Sequence, residues 1–201
     1  MNSLIFKYIM CFLLLITISS NVTAQKMKGL IPDGVIVQHA GSIGYFSGGV
    51  NYTLFKNQRG SLDIMAGHLP KSKGGGFTML TSKFAWRPIE IKVNDWLILH
   101  PVNPGAFLSY TIDNDFDIVR DRDLYRKGYY YLPEALHLHV TFGSELKVNT
   151  IELLDAKKIK ALTFYYELNA SDMYLANYIQ NLKALSVTDI FKAGVGIKAS
   201  F

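Results

Sequence analysis

Apolar and polar residues alternate one for one through Leu136–Val148, LHLHVTFGSELKV. Leu136, Leu138, Val140, Phe142, Ser144, Leu146 and Val148 fall on one face of an extended strand. His137, His139, Thr141, Gly143, Glu145 and Lys147 fall on the other. A period of two is the mark of a strand whose faces meet different surroundings. The same period recurs in ALTFYYELN, which sets Leu162, Phe164, Tyr166 and Leu168 against Ala161, Thr163, Tyr165, Glu167 and Asn169. The final segment sets Phe191, Ala193, Val195, Ile197, Ala199 and Phe201 against Lys192, Gly194, Gly196, Lys198 and Ser200.

Three further segments alternate. Leu62, Ile64 and Ala66 oppose Ser61, Asp63 and Gly67, while Leu80, Phe84 and Trp86 oppose Thr81, Lys83 and Arg87. In WLILHPVNPGAFLSYTI the apolar row is Ile98, Val102, Ala106, Leu108 and Tyr110, against Asn103, Gly105, Ser109 and Thr111. Near the start, VIVQHAGSIGYFSGGVNYTLF is long enough for one strand. Ser47-Gly48-Gly49 is a hairpin signal that divides it into two, which predicts eight strands in all. Turns at 56–60, 88–95 and 149–158 are short to moderate. Those on the alternate side, at 69–76, about 113–133 and about 170–186, are longer, apart from the first hairpin. Short turns at one end and long loops at the other predict an up-and-down transmembrane β-barrel.

The first residues add a location. Lys7 precedes an apolar run from Tyr8 to about Ile18, and Val22-Thr23-Ala24 provides a cleavage site. Residues 1–24 read as a secretory signal peptide, leaving 25–201 as one β-barrel domain. Cys11 is the single cysteine and lies inside that run. The mature domain therefore has no thiol for a disulfide, a zinc site or a nucleophile. The net charge of +5 is mild and its basic residues are scattered. Nucleic-acid binding would need a basic patch with interleaved aromatics, which this sequence lacks.

Aromatic residues gather at strand ends: Trp86, Trp96, Tyr110, Tyr129, Tyr130, Tyr131, Tyr174 and Tyr178. Such rings favour the headgroup level of a membrane. The terminal Phe201, with alternating apolar residues before it, resembles the C-terminal strand signature that the barrel-assembly machinery of bacterial outer membranes recognises. At the level of pattern and tail, the chain resembles the small outer-membrane β-barrel proteins of Gram-negative bacteria, particularly the Bacteroidota. That resemblance implies an all-β, eight-stranded antiparallel barrel in the cell outer membrane, in contact with membrane lipid and lipopolysaccharide. It implies a structural or surface-interaction role. A secreted soluble β-sandwich that binds a partner is a further alternative, since its strands alternate too.

Eight strands enclose an interior only about wide enough for side chains to fill, so no open pore is expected. By parity the interior receives Asp63, Lys83, Arg87, His137, His139, Glu145, Lys147, Glu167, Lys192 and Lys198. Charges so confined must pair or find water, which predicts a structural polar network. The sharper expectation comes from the hairpin 136–169. A turn centred near residue 154 sets Glu167 opposite Thr141, with His139 about 7–8 Å away on the diagonal. His139 as base, Thr141 as nucleophile and Glu167 as orienting acid resemble the site of the lipid A 3-O-deacylases, eight-stranded outer-membrane esterases that use Ser, His and Glu. That resemblance implies a lipid-modifying esterase as the alternative function. It covers this hairpin alone, Thr141 stands where Ser is expected, and the family's site faces lipid rather than the interior.

No cofactor or metal is expected. His137 and His139 share a face but lack a third ligand. DNDFD, Asp113–Asp117, has the alternating acids of a calcium loop without its glycine or terminal Glu. The loop 113–133 is the candidate surface for a partner.

Overall fold

The computed structural model of the protein describes residues 30–112, 135–151, 158–181 and 186–201. The expected signal peptide, Cys11, the acidic run 113–117, the loop 113–133 and Tyr129–Tyr131 lie outside the described residues. So does most of the turn 149–158.

Eight antiparallel strands close into a barrel: β1 (Gly34–Ala40), β2 (Phe46–Leu54), β3 (Gly60–Leu69), β4 (Phe77–Trp86), β6 (Leu97–Ile112), β7 (Leu136–Asn149), β8 (Ala161–Ser171) and β9 (Lys192–Ser200). A two-residue strand β5 (Ile91–Lys92) extends the hairpin between β4 and β6, pairing with Ile98 and Leu99. Each strand pairs with its sequence neighbours. Closure comes from β1 against β9, in register from Gly34↔Ser200 to Ala40↔Gly194. The first and last strands thus satisfy each other's backbone, and the sheet has no free edge around the wall.

Alternation decides which side chains face inward. Asp63, Met65, Thr81, Lys83, His139, Thr141, Glu145, Thr163, Glu167 and Lys198 are buried. Their strand neighbours Ile64, Leu80, Phe84, Leu138, Phe142, Leu146, Phe164, Leu168, Val195 and Ile197 are exposed. The apolar face therefore points outward and the polar face inward. Ile98 departs from its expected row. A bulge in β6 between His100 and Asn103 inserts one residue and reverses parity. Ile98 then pairs with Lys147 on the interior side, and Leu97 and Leu99 take the outward positions.

Residues 34–54 form two strands, but the turn is Gly41–Tyr45 rather than Ser47–Gly49. Ala40, Gly41 and Ser42 take φ of 61°, 77° and 64°, the left-handed region, and Gly44 takes 117°. The turn folds into the barrel and buries Ile43 completely, beside Ile36, Met65, Phe107 and Tyr165. Gly67 allows this, because a Cβ there would stand 1.7 Å from the Ile43 carbonyl oxygen. Gly49, which looks like a turn glycine in sequence, marks a close approach of strands instead. A Cβ there would lie 2.0 Å from the Ile64 carbonyl oxygen.

On the long-loop side, β8 runs to Ser171, whose hydroxyl caps helix α1 (Asp172–Gln180) by accepting from the Tyr174 N–H at 3.3 Å. Tyr174 and Tyr178 sit on this helix, not at strand ends. A short helix α2 (Val187–Ile190) is closed by a Ser186–Asp189 capping box.

Candidate functional site

The barrel interior holds two polar groups, one charged and one neutral. In the charged group, Lys83 from β4 reaches Glu167 Oε2 on β8 at 3.0 Å and Gln38 Oε1 on β1 at 2.9 Å. Asp63 Oδ2 lies 3.9 Å from the same ammonium. Gln38 returns a bond from its Nε2 to Glu167 Oε1 at 2.7 Å, so each carboxylate oxygen of Glu167 is engaged.

Lys198 on β9 joins the halves. Its ammonium lies 3.1 Å from Asp63 Oδ2, 3.1 Å from Glu145 Oε1 and 3.0 Å from Ser61 Oγ. Arg87 Nε donates to Glu145 Oε2 at 2.5 Å. Asn51 Nδ2 donates to Asp63 Oδ1 at 2.5 Å and to Ser61 Oγ at 2.9 Å. Three cations, Lys83, Arg87 and Lys198, thus meet three anions, Asp63, Glu145 and Glu167. Tyr165 stands between the lysines, with Lys83 Nζ 4.8 Å and Lys198 Nζ 5.2 Å from its ring centre. Its hydroxyl donates to Gln38 Oε1 at 2.7 Å. The ring fits because its strand partner is Gly196, where a Cβ would come within 2.5 Å of the phenol. With all six charges matched inside the wall, the desolvation of each is offset by a partner.

The other expected members of this network lie at its margins. Lys147 is half-buried toward the short-turn end, within the field of Arg87, Glu90 and Glu145. His137 pairs at the long-loop rim with Asp172, Nδ1 to Oδ1 3.5 Å. Lys192 is exposed at the same rim, with its ammonium 5.3 Å from the Tyr174 ring centre. Phe201 is half-exposed on the outward face, and its N–H donates to the Asp33 carbonyl at 2.9 Å.

The expected trio His139, Thr141 and Glu167 does not assemble in the anticipated register. Glu167 stands opposite Gly143, and Thr141 opposite Asn169. The pairing is offset by two residues from the expected one, so Thr141 meets Asn169 and His139 meets Ser171. Parity is kept, so all three still face inward. Glu167 is instead held by Lys83 and Gln38.

His139 belongs to the neutral group. Its Nε2 lies 3.1 Å from Ser109 Oγ on β6, and the Phe107 ring stacks on the imidazole at 4.1 Å between centres, tilted by 10°. Asn169 approaches the ring from β8. Its own Nδ2 is fixed by the carbonyls of Gly41, 2.8 Å, and Lys192, 3.2 Å. A hydroxyl, an imidazole and a carboxamide therefore meet across three neighbouring strands. Sequence reasoning placed Ser109 on the polar face without giving it this partner. It also overlooked Gln38, Asn51, Ser61 and Tyr165 as members of the charged group. Alternation in IVQ and in the Tyr165 strand marks Gln38 and Tyr165 as inward, but the partners come from strands far apart in sequence.

Among the described residues, no group of three or more His, Cys, Asp or Glu side chains could hold a metal ion. No described helix is long and apolar enough to cross a membrane, which says nothing about crossing by strands. No protein-family model matches the chain, nor does any curated protein or solved structure.

Proposed function

We propose that the protein is an outer-membrane β-barrel of a Gram-negative cell, with a structural or surface-interaction role and no open pore. One observation carries this reading: the barrel is apolar outside and charged inside. From β1 to β9 the outward positions carry no Asp, Glu, Lys or Arg, whereas Asp63, Lys83, Glu145, Glu167 and Lys198 are buried within and the half-buried Arg87 joins them. A soluble sandwich would reverse that arrangement, because an exposed apolar face of this extent is unfavourable in water. In lipid the same face is solvated, and the closed wall pairs the backbone as a bilayer demands. Outer-membrane lipid and lipopolysaccharide are the surrounding partners. The barrel-assembly machinery is the insertion partner, with Phe201 as its signal, and the loop 113–133 is the candidate surface for any other partner.

The test is fractionation with gel mobility. The protein remains in the outer membrane after carbonate washing and migrates differently before and after boiling. Complete release into the soluble fraction would overturn the reading.

The hydrogen bond between Ser109 Oγ and His139 Nε2, 3.1 Å, favours a second reading, a lipid-modifying esterase with Ser109 rather than Thr141 as nucleophile and His139 as base. Mass spectrometry of lipid A from cells with and without the protein decides it. Loss of one acyl chain that disappears in Ser109→Ala supports the esterase; identical spectra refute it.

A further inference from the structure

Asn103 borders the bulge in β6 and faces into the barrel, where the residue is 4% exposed. Neither its Nδ2 nor its Oδ1 meets a hydrogen-bond partner among the described residues. A buried carboxamide in that condition is costly, and a carboxamide offers two donors and one carbonyl acceptor that must be met. The residue borders a cavity of about 20 Å³, walled also by Lys83, Ala85, Thr141, Glu145 and Lys198. Gly143, opposite Asn103, has no side chain to fill it.

We propose that this cavity is a binding site for a single structural water molecule, held by the Asn103 carboxamide and the Thr141 hydroxyl against the ionic group. The volume decides the number of guests. A water needs roughly 10–15 Å³ of such space, so the site accommodates one. Charge decides their kind. Three cations and three anions around the site already satisfy one another. An anion would therefore find no unmatched cation, and a bare cation would lack the six or so oxygen ligands it requires. Water can both donate to the Asn103 Oδ1 and accept from its Nδ2–H, which no simple ion does. The bound molecule fastens the bulge to β7 and gives β6 a fixed partner where its ladder is interrupted.

The experiment uses the ¹⁵N-labelled barrel refolded in detergent micelles, with water-to-amide cross-relaxation measured at the Asn103 side-chain NH₂. Asn103→Leu identifies those resonances by their loss. The expected result is a contact with long-lived water at both protons, unchanged when chloride is replaced by sulfate. Absence of a water contact overturns the proposal, and so does a chloride-dependent shift, which would mean an ion. Ala85→Val supplies an independent sign, because it grows a methyl group into the cavity. If water is bound there, the variant expels it and strands Asn103, and the unfolding midpoint falls by roughly 2–6 °C. A midpoint that rises would show a dry cavity filled to advantage and would overturn the proposal.

Discussion

Lys198→Met removes one charge from the centre of the barrel while preserving much of the side chain's apolar length. The side chain is 4% exposed and faces two carboxylates at 3.1 Å. The loss is unequal between them. Glu145 keeps Arg87 at 2.5 Å, whereas Asp63 is left with Lys83 at 3.9 Å, an ammonium already committed to Glu167 and Gln38. Asp63 is fully buried, so its unmatched charge has no water to turn to. Breaking a buried pair from one side costs about 3–5 kcal/mol. The restoring change is Asp63→Asn, which brings the group back to neutrality while leaving an acceptor oxygen for Asn51. The double variant recovers at least about 2 kcal/mol of the loss, a coupling far beyond that of independent sites. Urea unfolding of the barrel in lipid vesicles measures both, followed by fluorescence of the exposed Trp86 and Trp96. A single-variant loss under about 1 kcal/mol would refute the assignment of Lys198 as the hub. So would a double variant no more stable than the single one.

Three more outcomes test other parts of the account. Phe142→Lys places a charge at an outward position that is 51% exposed; in vesicles it costs roughly 2–4 kcal/mol if that face meets lipid. A change within about 0.5 kcal/mol, as at an ordinary wet surface, would count against membrane insertion. Gly67→Ala sets a methyl group against the Ile43 carbonyl oxygen, unseating the inward turn; a loss of about 2 kcal/mol or more in the same assay is expected. Tyr165→Leu removes the ring between Lys83 and Lys198 and the hydroxyl bonded to Gln38. It lowers stability by about 2–4 kcal/mol, and Tyr165→Phe by only about 1 kcal/mol, since the ring still packs.

Much of the wall was legible because the period of a strand is a local property. Every side chain points opposite to its neighbours, so His139, Thr141, Glu145, Glu167 and Lys198 could be assigned inward before any pairing was known. The exceptions come where local geometry departs from the plain strand. The bulge at His100–Asn103 returned Ile98 to the interior, and no residue type announces that a strand carries one extra residue. Ser47-Gly48-Gly49 reads as a turn because glycine permits turns, yet Gly49 serves the close approach of two strands. The turn lies at Gly41–Tyr45, where Ala40 and Ser42 accept positive φ so that Ile43 can be buried.

Sequence alone therefore determined the eight strands of the barrel wall, the face most of their side chains take and the absence of charge on the outward face. These follow from parity and from the cost of exposing or burying particular groups. Only the tertiary structure decided who meets whom inside. Glu167 lies two residues from its expected register, so it meets Lys83 and Gln38 instead of His139, and His139 meets Ser109. Closure of β1 on β9 places Gln38 within reach of Glu167, 129 residues away along the chain. Such contacts depend on the register and curvature of the whole barrel, which no local pattern of residues encodes.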